Sequence, residues 1–306
     1  AREWARDNDG HFRRTPTTIR EWIRKDGTSK HPAAKDRYHL YVSYACPWAH
    51  RTLIMRALRK LTDVIGVSVV DHFMGDDGWT FASNPGVIPD PVRNAPFLRD
   101  VYTAHDPKFT GRVTVPVLFD RELGTIVNNE SRDIIRMLDH EMSGLGDPSV
   151  DLCPADLQAK VDATIDENYE PINNGVYRSG FAGSQSAYDL AVGELFDALD
   201  RAEDRLSTNR YLCGDRLTEA DICLFTTLIR FDKVYHTHFK CNVKRIVDYP
   251  NLWGFVREVY QMPGVAETCN FEHITKHYYA SHSSINPTRI VARGPDLDLM
   301  SPHRRG

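Results

Sequence analysis

The chain has 306 residues, of which 41% are hydrophobic and 26% are charged, and its formal net charge is −4 at pH 7. This composition is ordinary for a globular protein with one large or two ordinary domains, and the acidic balance argues against nucleic acid or an anionic membrane as main partner. Six scattered cysteines indicate reduced thiols rather than a disulfide framework. No apolar run reaches the roughly 18 residues of a membrane helix and the start has no apolar signal core, so we expect a cytoplasmic protein.

A reactive cysteine is predicted in the first strongly patterned stretch, residues 41–51. Residues 40–42 indicate a strand, and Cys46 is followed at once by Pro47 and then by a helical pattern of apolar residues. Because proline suits the first turn of a helix, Cys46 is expected at or just before a helix N-terminus. The helix dipole and unpaired amides there favour the thiolate and lower the pKa of the cysteine. The alternative is a small, buried, apolar cysteine.

The following elements predict an α/β half with a small mixed sheet. Residues 64–70 are β-branched and indicate a second strand. Residues 71–112 form a long connection rich in Gly, Pro, Asp and Asn, and connections of this length tend to be functional. Strand character returns at residues 113–120, where Pro116 is expected at the start of the strand. A cis peptide bond before Pro116 is one way to fit it there. A short strand at residues 125–127 then leads into a helix that begins after Ser131.

The second half of the chain is predicted to be helical. Residues 141–155 are rich in Gly, Pro and Ser and form the best candidate for a linker. Apolar periodicity then marks helices around Val161, from Tyr188 to Leu206, and around Phe255. At one further helix start, the Thr218 side chain and the Asp221 carboxylate are spaced for a reciprocal cap.

Several motifs together resemble those of the glutathionyl-hydroquinone reductases, also called Xi-class glutathione transferases. The resemblance covers nearly the whole chain, from about residue 4 to about residue 299. The matching stretches are residues 44–51, 78–81, 112–118, 126–131, 173–177, 217–221, 230–232, 237–241, 260–264, 277–279 and 285–287.

The resemblance implies an α/β thioredoxin-like N-terminal domain followed by an all-α glutathione-transferase C-terminal domain. The expected segments are an N-terminal extension (1–37), a glutathione-binding domain (38–145), a helical domain (155–280) and a C-terminal extension (281–306). In the family such extensions accompany a distinctive homodimer, which the resemblance therefore also implies.

The resemblance further implies a reaction with glutathione as co-substrate. In the family a cysteine thiolate attacks the sulfur of a glutathionyl-hydroquinone, the hydroquinone leaves, and a second glutathione resolves the mixed disulfide. Cys46 is the expected nucleophile. Position 49 is Ala, so no second cysteine stands at a Cys-x-x-Cys spacing and an external thiol must resolve the disulfide.

The same resemblance indicates candidate residues for binding glutathione. The Val115 backbone can pair with the cysteinyl part of glutathione as an added strand would. Ser131 suits the γ-glutamyl carboxylate and Glu130 its ammonium, although the residues alone are equally consistent with a plain helix cap. Trp79 resembles the family tryptophan that packs on glutathione. Arg99, and after it Arg112, are candidates for the glycyl carboxylate.

Tyr177, Tyr235 and Tyr278 resemble the tyrosines of the family's hydroquinone site. A tyrosine combines an apolar ring with a donor hydroxyl, so we hypothesise that one of them protonates the leaving ring or stabilises its charge. His236, His238 and Cys241 mimic a metal cluster, but no fourth ligand is visible and we expect no metal. His50 is interpreted as a histidine on the helix surface.

Two other functions remain open from the sequence. An omega-like thiol transferase or dehydroascorbate reductase shares the Cys-Pro start. A non-catalytic binding module on the glutathione-transferase fold is possible in principle, but it would be expected to have lost the nucleophile, and Cys46 is intact.

Overall fold

The structure, a computed structural model, describes residues 5–306, which form two units. The first unit contains Pro16–Asp151 and Pro263–Ser281. The second contains the described residues up to Thr15, together with Leu152–Met262 and His282–Gly306. Each unit joins stretches that are far apart in sequence, so the four segments expected from the sequence stay a prediction.

The regular elements are numbered along the chain. The strands are β1 (Ile23–Arg24), β2 (His31–Pro32), β3 (Tyr38–Val42), β4 (Gly66–Val69), β5 (Val117–Asp120) and β6 (Thr125–Asn128). The α-helices are α1 (Pro47–Leu58), α2 (Leu98–His105), α3 (Ser131–Arg136), α4 (Gln158–Asn168), α5 (Gly175–Gly180), α6 (Gln185–Thr208), α7 (Glu219–Arg230), α8 (His236–His238), α9 (Pro250–Tyr260) and α10 (Phe271–Ser281). Single-turn π-helices continue α3, α4 and α7 at Met137–Glu141, Tyr169–Asn173 and Phe231–Tyr235.

A four-stranded mixed sheet lies at the centre of the first unit, as predicted. Its strand order is β4-β3-β5-β6; β3 runs parallel to β4 and antiparallel to β5, and β5 runs antiparallel to β6. Every residue of β3 is buried, as expected of a strand covered on both faces. The carboxyl end of β3 leads through a turn that begins at Ser43 into α1. Cys46 therefore lies just beyond the carboxyl end of this strand.

Helix α2 was not predicted from the sequence, because it lies inside the long connection 71–112. Its buried residues Leu98, Val101 and Tyr102 follow the i, i+3, i+4 spacing of one helix face. The prolines, glycines and asparagines on either side masked this short periodic stretch.

The second unit is built from α4 to α9, and α7 is buried over its entire length. The predicted cap of α7 is confirmed. The Asp221 carboxylate accepts hydrogen bonds from the Thr218 amide and hydroxyl and from the Leu212 amide, each at 2.8 Å. Burial raises the pKa of Asp221 to about 6. Across residues 5–306 the helices are either too short or too polar to cross a membrane.

Removing the Asp221 carboxylate should destabilise the protein strongly. Asp221→Ala leaves the buried Leu212 and Thr218 amides without an acceptor, which we expect to lower the free energy of unfolding by about 2–4 kcal/mol. Thr218→Val keeps both amide bonds and should cost only about 1 kcal/mol. Urea denaturation monitored by circular dichroism measures both losses, and equal losses would contradict this account of the cap.

Acid should weaken the first unit through His39 on β3. Its Nε2 lies 2.7 Å from Ser68 Oγ on β4, and burial lowers its pKa to about 4. Between about pH 6.5, the ordinary pKa of histidine, and pH 4 the unfolded chain binds the extra proton, so stability falls with falling pH. His39 alone should account for a loss of about 3 kcal/mol over this window. Denaturation of wild type and His39→Gln at pH 7 and pH 4.5 tests this; an unchanged acid loss in the variant would refute it.

Candidate active site

Cys46 occupies the residue directly before α1, as predicted. Its backbone is extended, with φ −76° and ψ 120°, and Pro47 takes the first helical position. The Cys46 carbonyl accepts the His50 amide at 3.0 Å, and its Sγ lies 3.6 Å from the Val115 carbonyl oxygen. The side chain is partly exposed, which differs from the buried, inert alternative. A partly exposed sulfur at a helix N-terminus is the setting in which a thiolate is stabilised and can be reached by a substrate.

Val115 lies two residues before β5, and its peptide bond to Pro116 is cis. The preceding residue is held by Tyr102 on α2, whose hydroxyl donates to the Thr114 carbonyl at 2.8 Å and accepts from the Thr114 amide at 3.3 Å. The same hydroxyl accepts from Asn129 Nδ2 at 3.2 Å. Tyr102 therefore ties the segment beside the nucleophile to the residue before Glu130. The sequence reading missed this tyrosine because it missed α2.

Glu130 and Ser131 form the start of α3. Glu130 caps the helix, with Oε1 accepting the Arg132 amide at 3.2 Å and Oε2 accepting the Thr17 hydroxyl at 2.9 Å. Ser131 is buried, and its Oγ lies 3.3 Å from Nη1 of Arg51. The capping interpretation of Glu130 is thus confirmed, and a role for the pair in holding glutathione stays a prediction. Thr17 and Arg51 are contacts that sequence reasoning did not assign.

Trp79 stacks on a histidine of α10. The ring centroids of Trp79 and His277 are 4.9 Å apart with an angle of 23° between planes. His277 Nδ1 donates to the His72 carbonyl at 2.8 Å, which fixes the orientation of the imidazole. One face of the Trp79 indole is therefore occupied by protein.

The two arginine candidates lie in exposed positions. Arg99 forms an ion pair with Asp77 at 2.8 Å, and its guanidinium lies 4.1 Å from the centre of the Phe97 ring. Arg112 is exposed. Among residues 5–306 no hydrogen bond or ion pair joins either arginine to the candidate glutathione-site residues, so their proposed role stays a prediction.

The three candidate tyrosines divide between the units. Tyr177 and Tyr235 belong to the second unit, where their ring centroids are 6.0 Å apart and both rings pack on Phe239. The guanidinium of Arg14 lies 5.0 Å from the centre of the Tyr177 ring. Tyr278, on α10 of the first unit, is 2% exposed and packs edge-on against His277. Tyr177 and Tyr235 thus share one aromatic cluster, and the catalytic roles of all three tyrosines stay predictions.

The structure corrects the interpretation of His50 as a residue of the helix surface. His50 is fully buried rather than on the helix surface, and its Nε2 lies 2.8 Å from Thr268 Oγ1, which donates to the Val265 carbonyl at 2.6 Å. Thr268 is 218 residues away in the chain, so local periodicity could not reveal this contact. In the His236, His238 and Cys241 run, burial raises the pKa of the Cys241 thiol; the expectation that this run binds no metal stays a prediction.

Loss of the Tyr102 hydroxyl should loosen the segment that carries Val115. Tyr102→Phe removes one donor and the acceptor for two N–H groups, so we expect the free energy of unfolding to fall by about 1–3 kcal/mol. Tyr38→Phe is a matched control, because the Tyr38 hydroxyl makes a single recorded bond, to the Pro32 carbonyl at 2.6 Å. Thermal denaturation of both variants is the measurement; a loss no greater for Tyr102→Phe than for Tyr38→Phe would contradict this role.

Comparison with known proteins identifies both halves of the chain. The glutathione S-transferase N-terminal domain model matches residues 45–141, and the C-terminal domain model matches residues 185–258. These matches and the observed elements confirm the predicted fold class, a thioredoxin-like domain followed by an all-α domain.

Relatives extend the similarity over nearly the whole chain. Glutathionyl-hydroquinone reductase YqjG of Escherichia coli is 52% identical over 303 residues, covering 97% of this chain and 92% of the relative. Glutathionyl-hydroquinone reductase PcpF of Sphingobium chlorophenolicum is 52% identical over 263 residues, covering 86% of this chain and 84% of the relative.

Solved structures agree with this assignment. A Xi-class glutathione transferase from Natrialba magadii superposes with a TM-score of 0.93 at 54% identity, covering 97% of this chain and 95% of its own. The glutathione-bound structure of E. coli YqjG gives a TM-score of 0.92 at 53% identity, covering 94% of this chain and 96% of its own. The chain therefore belongs to the glutathionyl-hydroquinone reductases, the Xi class of glutathione transferases.

Proposed function

We propose that this protein reduces glutathionyl-hydroquinones to hydroquinones, with Cys46 as nucleophile and glutathione as reductant. The observation that carries the proposal is the partly exposed Cys46 sulfur directly before α1, in a chain 52% identical to reductases named for this reaction. Ala49 stands where a dithiol enzyme would have its second cysteine. A monothiol site requires an external thiol to complete the cycle.

In the first step the Cys46 thiolate attacks the glutathione sulfur of the substrate. A sulfur–sulfur bond forms between Cys46 and glutathione, and the bond from that sulfur to the aromatic carbon breaks. The electron pair stays with the ring, which takes up a proton and leaves as the hydroquinone. Cys46 is thereby oxidised and the aromatic ring is reduced.

In the second step a glutathione thiolate attacks the glutathione sulfur of the mixed disulfide. Glutathione disulfide leaves and the Cys46 thiolate is restored. The net reaction consumes one glutathionyl-hydroquinone and one glutathione and yields one hydroquinone and one glutathione disulfide, so the electrons balance without a further cofactor.

Glutathione would be held by the residues around Cys46. The Val115 carbonyl, 3.6 Å from Cys46 Sγ, supports backbone pairing with the cysteinyl part of glutathione. Ser131 would bind the γ-glutamyl carboxylate, Glu130 the neighbouring ammonium, and Trp79 would pack on the peptide. Arg99 or Arg112 would pair with the glycyl carboxylate.

The hydroquinone ring would be received by Tyr177, Tyr235 and Tyr278. The packing of Tyr177 and Tyr235 in one aromatic cluster supports a shared role in stacking on the ring. One of the three hydroxyls would supply the proton that the departing ring needs. We further propose that the enzyme works in the cytoplasm as a homodimer. All six cysteines are free thiols, which supports a reducing compartment.

Replacement of the nucleophile tests the function. Cys46→Ser removes the thiol proposed to form the mixed disulfide, so release of hydroquinone from a glutathionyl-benzohydroquinone with excess glutathione should fall by at least about 10³-fold. Chromatographic detection of free hydroquinone measures the rate.

A matched control is Cys269→Ser, because Cys269 is also partly exposed and should not be needed for turnover. Slow turnover of the hydroquinone by the parent, together with rapid Cys46-dependent reduction of dehydroascorbate or a small mixed disulfide, would identify an omega-like thiol transferase instead. No activity on any of these would favour the binding module.

A further inference from the structure

Arg51 on α1 is a buried cation whose charge the described protein leaves unbalanced. Arg51 is 2% exposed, and no ion pair joins its guanidinium to a carboxylate among residues 5–306. Its Nε is buried without a hydrogen-bond partner. One face of the guanidinium lies 4.4 Å from the centre of the Trp48 ring, which shields that face from water.

Two other arginines with little exposed side chain lie close to carboxylates. Arg59, at the end of the same helix, lies 3.5 Å from Asp139, and Arg305 lies 2.9 Å from Glu258. Burying a charge without such a partner is costly, so the position of Arg51 calls for an anion supplied from elsewhere.

The contact of Arg51 with Ser131 indicates where that anion belongs. Nη1 of Arg51 donates to Ser131 Oγ across 3.3 Å. A hydroxyl that accepts from a guanidinium keeps its own single proton for another acceptor. The acceptor recorded in the structure is Glu130 Oε1 at 3.5 Å, a long contact that a ligand oxygen can replace.

We propose that Arg51 is a positioning residue for the γ-glutamyl carboxylate of glutathione. It orients Ser131 so that the hydroxyl proton points at that carboxylate, and its buried charge is balanced when the carboxylate binds. This inference rests on the proposed function and adds to it a source of affinity for one end of glutathione.

Binding measurements with two ligands test the proposal. In Arg51→Met, which has similar length and no charge, we expect the Kd for glutathione measured by calorimetry to rise about tenfold or more. The kcat at saturating glutathione should change by less than about threefold, since the reacting sulfur is untouched. A glutathione analogue with a carboxamide in place of the γ-glutamyl α-carboxylate should bind wild type and Arg51→Met equally.

Further variants provide controls. Arg56→Met removes another arginine of α1, one that donates to the Ile65 and Thr62 carbonyls at 2.7 Å, and should leave the Kd unchanged. The loss of affinity caused by Arg51→Met should be smaller in the Ser131→Ala background than in the wild-type protein, because both side chains act through one contact. If Arg51→Met fails to fold, Arg51→Lys and Arg51→Gln compare a charged with a neutral side chain.

The outcomes separate the possibilities. An unchanged Kd for glutathione, or an equal loss for glutathione and the carboxamide analogue, would overturn the role of Arg51. Absence of glutathione binding by the wild-type protein would instead overturn the proposed function itself.

Discussion

The feature on which the site depends is the position of Cys46 directly before the first turn of α1. A thiolate is stable near neutral pH only where nearby groups favour negative charge, and unpaired amides at a helix N-terminus do so. The sulfur can occupy that point because β3 is buried along its whole length and ends immediately before the turn into α1. Pro47 then begins the helix without removing a needed hydrogen bond.

Buried hydrogen bonds fix the other segments of the site relative to one another and to the helix that follows Cys46. Tyr102 bonds to both backbone groups of Thr114 and to Asn129, and thereby fixes the residues before Val115 and Glu130 relative to one another. Arg51 reaches Ser131 from the helix that Cys46 begins. Networks of this kind are expensive when incomplete, which is why they define one geometry.

The sequence predicted the parts of this site that depend on local patterns. The Cys46–Pro47 helix start and the Thr218–Asp221 cap each depend on residues within four positions of one another, and both predictions were correct. The burial of His50 depends on Thr268, and the helix around Tyr102 is short and flanked by turn-forming residues, so neither emerged from local periodicity. The assignment of Tyr278 to the first unit, with residues far away in the sequence, likewise depends on tertiary folding.

A single-turnover experiment tests the central claim most directly. The protein is mixed with one equivalent of a glutathionyl-hydroquinone without free glutathione, quenched at acid pH, and analysed by intact mass and peptide mapping. The account predicts one equivalent of hydroquinone released and one glutathione attached, in a disulfide on Cys46 that added glutathione removes. Release of hydroquinone with an unmodified protein, or with glutathione on another cysteine such as Cys269, would contradict it.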